Sequence, residues 1–264
     1  THCISSAASD VYKRQIPRLS NLLSNAPPYL RMVFASCLPY LAQTSLRFHD
    51  MATILKTTVL ETSIDPETEN EGFNTAGMFD VSKESLISDF ETFAISMLTD
   101  PEANVKVALL RNILPLCSFF GKEKTNDLIL SHLITYLNDK SSFLRISFVE
   151  AVVGLSIYVG TTSLEHYILP LLVQTLTDPE ELVVIKVLQI FQDLSKLGLI
   201  KKDYIWDLLS AVSKLLLHPN EWIKQSTLSL IITIADTLTL TDLYCMLYPI
   251  IRPYIDYDVT DFSW

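Results

Sequence analysis

Glycine is scarce in this chain, at 6 of 264 residues. Folds built on phosphate-binding loops, β-bulges and tight hairpins need more glycine, because it enters left-handed backbone conformations without strain. Long apolar runs are also missing: the longest, at 151–160 and 243–251, are about ten residues, half of what a membrane-spanning helix requires. With 49% hydrophobic and 19% charged residues, the apolar content is expected in the core of a helical protein.

Basic residues are outnumbered, with 20 Lys and Arg against 30 Asp and Glu and a net charge of −10. This balance argues against nucleic-acid binding, which depends on neutralising phosphates. Nine of the acidic residues lie between positions 61 and 91, where Lys83 is the one base. The absence of a helical period there predicts an acidic insert loop over 61–82, and a binding strip for a basic partner is the alternative.

Cysteine is also rare, and its four positions, Cys3, Cys37, Cys117 and Cys245, form no closely spaced pair. We expect reduced, mostly buried thiols in a cytosolic protein. The five histidines never fall at metal-ligand spacing, and the sequence contains no nucleotide-binding glycine motif, no zinc-protease motif and neither of the kinase signatures His-Arg-Asp and Asp-Phe-Gly. We therefore predict no catalytic residue, no cofactor and no metal site in this chain.

An internal repeat organises most of the chain. Four similar motifs recur at spacings of 39, 39 and 40 residues, and their anchor residues are Asp100, Asp139, Asp178 and His218. A further copy is anchored at Asn25, and 36 extra residues separate it from the next one. Three glycines follow their anchors by 20 or 21 residues and are predicted to end helices in the left-handed conformation: Gly121, Gly160 and Gly198.

Each repeat therefore predicts two helices, one from anchor to glycine and one from glycine to the next anchor. The motif Asp-Pro-Glu at 100–102 and 178–180 predicts a capping acid followed by Pro and Glu at the first helical positions. Helix pairs with this period indicate an all-α, HEAT/armadillo-type α-solenoid of about five repeats. The predicted organisation has disordered or extraneous residues at 1–15, a first repeat with a long helix at 16–60, further repeats at 83–257 and a truncated end at 258–264.

A basic residue follows most anchors by six positions. These residues are Lys106, Arg145 and Lys224, and in the third repeat the base, Lys186, comes two positions later. One interpretation is a basic ladder that grips an acidic partner. The favoured one is that each base pairs with an anchor Asp of its own or the adjacent repeat and fixes the orientation of the repeats.

Trp222 follows Asn220 and Glu221 at a predicted helix start. These three residues are the candidate partner-binding site, with the tryptophan as an aromatic anchor. The favoured interpretation is a capping contact in which the ring packs on the preceding turn.

The stretch 119–140, Phe-Phe-Gly-Lys-Glu-Lys-Thr-Asn-Asp-Leu-Ile-Leu-Ser-His-Leu-Ile-Thr-Tyr-Leu-Asn-Asp-Lys, resembles the HEAT region of the regulatory, protein-kinase-like subunit of class III phosphatidylinositol 3-kinase. The segments 217–224 and 242–249 are similar to the same family further along, and a first repeat followed by an acidic insert also suits its layout. The resemblance covers about 16–255, and 1–15 lie outside it.

The resemblance implies a position between an N-terminal, myristoylated kinase-like domain and a C-terminal WD40 propeller. It implies binding to the catalytic lipid kinase subunit and Beclin-type subunits, in a cytoplasmic complex peripheral to endosomal and autophagic membranes. The chain itself would reach a membrane only through that complex. No catalytic residue of the family has a counterpart here, so the expected role is a non-catalytic scaffold. The alternatives are the arm of an active Ser/Thr kinase and a generic HEAT adaptor for a phosphatase or transport cargo.

Overall fold

The computed structural model describes residues 18–20, 26–62 and 75–255, and all regular elements within these ranges are helical. The main helices are α1 (Pro28–Thr62), α2 (Thr75–Leu98), α3 (Ala103–Leu110), α4 (Ile113–Lys124), α5 (Ser142–Val159), α6 (Glu181–Lys196), α7 (Lys202–Val212), α8 (Glu221–Thr237) and α9 (Tyr248–Ile255). Shorter α-helical pieces are Ser131–Thr135, Thr161–Ser163, Leu169–Thr175 and Leu240–Asp242, with 3₁₀ turns at Tyr136–Asn138 and Ser213–Leu217 and π turns at Thr125–Leu130, Leu164–Ile168 and Leu243–Leu247. The all-α prediction is confirmed.

The chain divides into two compact units, with the boundary between Thr135 and Tyr136. In the first unit, α1 packs on α3 and α4, and aromatic rings meet edge to face around Phe90 and Phe93. In the second unit, α6 packs between α5 and α8. Each unit therefore buries its apolar faces by stacking helices that are neighbours in the repeat order, as in a helical-repeat solenoid.

The Asp-Pro-Glu motif lies before the helices and not within their first turn. The structure begins α3 at Ala103 and α6 at Glu181, so the prediction that Pro and Glu occupy the first helical positions is wrong. The Oδ1 atoms of Asp100 and Asp178 accept hydrogen bonds from the backbone N–H two residues on, at 2.9 and 2.8 Å. This side-chain turn closes around the proline and delays the start of the helix.

The glycines predicted to end the first helices have positive φ angles of 75°, 85° and 67° at Gly121, Gly160 and Gly198. At Gly121, which interrupts the span given for α4, and at Gly160, the ψ angles are −179° and 162°. These two glycines therefore break the helix in an extended conformation, and the predicted left-handed helical conformation is wrong for them. After α6, the amide of Gly198 donates to the carbonyl of Ser195 at 3.0 Å, and that of Leu199 donates to Leu194 at 3.1 Å. These are the two hydrogen bonds of a Schellman motif, in which a left-handed residue satisfies the last helical carbonyls.

The first repeat is longer than the others because its helices are extended. α1 runs for 35 residues to Thr62, and α2 begins at Thr75. The predicted loop boundaries of 61–82 are therefore wrong at both ends, and part of the 36 extra residues is helical. The segment 63–74, like the predicted ends 1–15 and 258–264, lies outside the described residues.

Helix α5 is the most apolar first helix. Its 18 residues have a mean hydropathy of 1.6, so by length and composition it could cross a bilayer, as could a bent pair over 103–138 taken together. In α5, however, Leu144 and Leu155 have no exposed surface and Phe148 is 1% exposed. Much of this apolar surface is therefore already covered by neighbouring helices of the protein.

The cysteines differ from the expectation of mostly buried thiols. Cys117 is buried in α4, but Cys37 and Cys245 are exposed, and Cys3 lies outside the described residues. Burial is the main cause that raises the pKa of the Cys117 thiol to about 12. The prediction of burial relied on the general preference of cysteine for protein interiors. Cys37 in α1 and Cys245 in the π turn at Leu243–Leu247 lie instead on the outer surface.

Candidate interaction site and the clamp between repeats

Arg145, in the first turn of α5, clamps its own repeat to the next one. Its Nε and Nη2 atoms donate to Oδ2 and Oδ1 of Asp178 at 2.8 and 2.9 Å, and Nη1 donates to the backbone carbonyl of Asp139 at 2.8 Å. The two side chains are 9% and 8% exposed. A planar guanidinium with two parallel bonds to a carboxylate fixes both distance and orientation, which a lysine cannot do.

The same clamp occurs in the first unit. Arg31 Nε and Nη2 donate to Oδ2 and Oδ1 of Asp100 at 2.7 and 3.2 Å, and Nη1 donates to the carbonyl of Ala26 at 2.8 Å. The hydrogen bond with Asp100 is the main cause that raises the pKa of Arg31. Sixty-nine positions separate the partners here against 33 for Arg145 and Asp178, yet the same atoms pair. The 36 additional residues of the first repeat therefore leave the clamp intact.

The clamp determines how the predicted basic residues are to be interpreted. The buried Arg145 faces Asp178 of the next repeat, so it does not grip an external acidic partner. Lys186 is not part of the clamp, because it pairs with Glu150 of the preceding first helix at 3.0 Å on a solvent-exposed face. Lys106 is half-buried on α3, and Lys224 makes no ion pair with any described residue.

The third repeat has lost both halves of the clamp together. Val184 occupies the position of Arg145, and His218 occupies the position of Asp178. Like the anchor aspartates, His218 still accepts a hydrogen bond from the backbone N–H two residues on: its Nδ1 lies 3.1 Å from the amide nitrogen of Asn220. The valine side chain is 4% exposed, so a buried apolar residue stands where the preceding repeat buries an arginine.

The candidate partner-binding site at the start of α8 is formed by three residues with different roles. Trp222 is 71% exposed, so most of its side-chain surface is open to solvent. Asn220 caps the helix, accepting from the Trp222 amide at 2.8 Å, and its side-chain amide donates to Glu181 of the preceding repeat. Glu221 is exposed beside them. Asn220 therefore serves the fold, while Trp222 and Glu221 are available at the surface.

A groove of about 570 Å³ lies on the other side of α8. It is mostly apolar, and its rim carries one acidic and one basic side chain. The lining residues are Leu216, Glu221, Lys224, Gln225, Leu228, Ile231, Ile251 and Tyr254. An open apolar groove of this kind has the form that can hold an amphipathic helix.

Sequence reasoning missed a second set of ion pairs, at the starts of the second helices. Lys202 Nζ lies 2.6 Å from Oδ2 of Asp242, and Lys201 Nζ lies 2.6 Å from Oε2 of Glu165. Lys202, followed by Thr239, lowers the pKa of Asp242 by hydrogen bonding to its carboxylate. One feature of the sequence could have predicted the Lys202–Asp242 pair: both residues follow the anchors of their repeats by 24 positions.

Within the described ranges, no three His, Cys, Asp or Glu side chains come close enough to hold a metal ion. The geometry instead shows interfaces between repeats and exposed helix starts.

Comparison with known proteins places this architecture in a family. Residues 9–264 match the family model described as PIK3R4-like, middle domain. Two similar proteins are the putative serine/threonine-protein kinase VPS15 of Komagataella pastoris, 50% identical over 94% of this chain, and the serine/threonine-protein kinase VPS15 of Saccharomyces cerevisiae, 51% identical over 92%. The chain spans only 17% and 16% of the length of these relatives.

Solved structures agree on the fold. Cex1p superposes with a TM-score of 0.57 at 16% identity, covering 94% of this chain and 44% of Cex1p. A designed armadillo repeat protein superposes with a TM-score of 0.50 at 17% identity, covering 90% of each chain. At such identities the likeness shows the helical-repeat fold alone. Since the family model matches nearly the whole chain and the repeats have this fold, the chain belongs to the PIK3R4-like, VPS15-type family, as the HEAT region of its regulatory subunit.

Proposed function

We propose that this chain is a non-catalytic scaffold segment in a class III phosphatidylinositol 3-kinase complex. It spaces a kinase-like domain from a WD40 propeller and offers its faces to the catalytic lipid kinase subunit and Beclin-type subunits. The complex acts in endosomal sorting and autophagy, and the chain is cytoplasmic and reaches endosomal or autophagic membranes as part of it. Family membership supports the identity of the complex, and the match to a middle domain supports a role outside catalysis.

The observation that carries the scaffold role is the clamp between repeats. A spacer transmits position only if each repeat holds a fixed angle to the next, and nearest-neighbour interfaces determine that angle in helical-repeat proteins. Bidentate pairs at Arg31–Asp100 and Arg145–Asp178 fix such angles, one in each unit. Their burial makes them less sensitive to salt than surface pairs.

A deletion of one complete period tests this role. Removing residues 122–160 from the full-length protein takes out 39 positions, so the remaining anchors keep their spacing. We expect the folded deletion protein to recover less of the lipid kinase subunit in a pull-down, because every surface beyond the deletion is displaced. The exposed substitution Ile157→Ser, in the same segment, serves as the matched control and should leave recovery unchanged. Full recovery by a folded deletion protein would rule out a spacing role for these repeats.

The names of the two relatives, both serine/threonine-protein kinases, favour a second candidate, in which the segment is the arm of an active Ser/Thr kinase. In that case phosphate transfer by the full-length protein would fall on deletion of 122–160. The isolated chain should transfer no phosphate from ATP and magnesium to a generic protein substrate in either case. Loss of phosphate transfer with normal recovery of the lipid kinase would favour the arm over the scaffold.

A further inference from the structure

We propose that Phe143, Leu182 and Trp222 form a docking edge for a basic, amphipathic helix of a partner protein. This edge row lies at the starts of α5, α6 and α8, where each residue follows its anchor by four positions. The inference rests on the scaffold function and specifies one of the surfaces that the scaffold offers.

The exposure of the edge row is not the result of a missing neighbour. The three side chains are 48%, 64% and 71% exposed along the row. α6 packs between α5 and α8, so Phe143 and Leu182 stay exposed although the following helix is in place. In the first unit, Tyr29 has the same position after its anchor and is 68% exposed. Stacking therefore leaves this position open in repeat after repeat.

The three residues of the edge row differ from scattered exposed apolar residues because they occupy the same position in successive repeats. Single exposed apolar residues are ordinary on protein surfaces. Here three large ones occupy one register position on adjacent helices, whose axes pack about 8–10 Å apart. Exposed apolar side chains grouped on one side of a protein mark interaction sites, and aromatic residues such as tryptophan dominate the energy of protein interfaces.

The surrounding charge favours a basic protein partner over an anionic membrane. Glu180, Glu181 and Glu221 are exposed in the same helix starts, and the corresponding turn of α5 contributes one exposed base, Lys140. The other two bases of these first turns occupy the clamp position, six residues after their anchors. Arg145 is buried against Asp178, and Lys224 lines the groove on the other side of α8. Anionic lipid would be repelled by this excess of carboxylates, whereas lysines or arginines beside an apolar stripe would be attracted.

The spacing of the row suits an α-helix laid across the three helix starts. Helical residues seven positions apart lie on one face and are separated by about 10 Å. An extended strand would cover that distance in about three residues, which places successive contacts on opposite faces. The expected partner segment therefore carries apolar residues at i, i+7 and i+14, flanked by basic ones.

The test uses a fluorescein-labelled 18-residue peptide with leucine at the stripe positions and lysine around them, titrated against the full-length protein by anisotropy. The triple variant Phe143→Ser, Leu182→Ser, Trp222→Ser should bind about tenfold or more weakly, as loss of interface anchors predicts. A matched triple variant, Ile157→Ser, Leu197→Ser, Ile232→Ser, removes exposed apolar side chains elsewhere on the same repeats and should bind normally. Circular dichroism verifies that both variants are folded.

Three outcomes would overturn the proposal. The first is equal affinity of the folded edge variant and the parent protein, which includes the absence of peptide binding by both. The second is equal affinity for a peptide in which glutamate replaces lysine. The third is edge-dependent sedimentation with vesicles of phosphatidylcholine and phosphatidylserine in place of peptide binding, which would assign the row to a membrane. The scaffold proposal fails separately, when the folded deletion of 122–160 still recovers the lipid kinase.

Discussion

The covered face of α6 and the open face of α8 show what the next repeat contributes. Leu188 in α6 and its equivalent Val149 in α5 have no exposed surface, whereas the equivalent Leu228 in α8 is 51% exposed. α5 and α6 each have a following first helix packed on them, and none of the described helices follows α8 in that way. The groove beside α8 is therefore a stacking face without its neighbour, and its apolar lining needs no ligand to account for it.

The edge row differs from that groove. Its residues are exposed in α5 and α6 as well as in α8, so stacking does not explain them. Comparing equivalent positions in one chain thus separates two kinds of exposed apolar surface. One kind is covered wherever a repeat follows, and the other is left open by every repeat in the second unit.

The largest effect is expected at the clamp. Arg145→Ala leaves the carboxylate of Asp178 buried with its strongest partner removed, which typically costs about 3–5 kcal/mol of unfolding free energy. Urea denaturation followed by circular dichroism measures the change. The control is Lys186→Ala, which breaks an exposed ion pair and should cost less than about 1 kcal/mol. Equal effects of the two substitutions would mean that the clamp adds nothing beyond a surface pair.

The next effect compares the covered and open faces directly. Leu188→Ala should lower the free energy of unfolding by about 2–5 kcal/mol, because the cavity that it leaves lies between packed helices. Leu228→Ala should cost under about 1 kcal/mol, since half of that side chain is already in water. The same denaturation experiment gives both values. A large cost at Leu228 would show that the open face is covered in solution.

A smaller effect comes from rebuilding the missing clamp. Val184→Arg alone places a charge at a buried position and should destabilise, as should His218→Asp alone through an added unpaired acid. Together they restore the pair found at Arg145 and Asp178. In a double-mutant cycle, the unfolding free energy of the double variant should exceed the value expected from adding the two single changes by about 0.5–3 kcal/mol. Strict additivity would show that the third interface cannot hold the clamp geometry.

The repeat period was predictable from the sequence because it depends on local features. Anchors and helix-ending glycines act within a turn of where they stand, so Gly160 and Gly198 could be located without a structure. The start of α2 at Thr75 was not predictable, since this helix begins where composition indicated a loop. The pairing of Lys202 with Asp242 and the exposure of Phe143 depend on packing between repeats. Neither could be predicted from sequence positions until the stacking of the helices was known.

The smallest effect concerns pH and the ion pair between second helices. Hydrogen bonds from Lys202 and Thr239 lower the pKa of Asp242, so this carboxylate favours the folded state when it is ionised. That contribution is fully present above the ordinary aspartate pKa of about 3.9 and is lost as the pH falls through the lower folded value. Lys202→Met should raise the pKa of Asp242, read from its carboxyl carbon by NMR titration. Lys201→Met, which removes the neighbouring pair with Glu165, should leave it unchanged. If Lys202→Met and Lys201→Met raised the pKa of Asp242 equally, the low pKa would come from the general positive charge of this region and not from the hydrogen bond with Lys202.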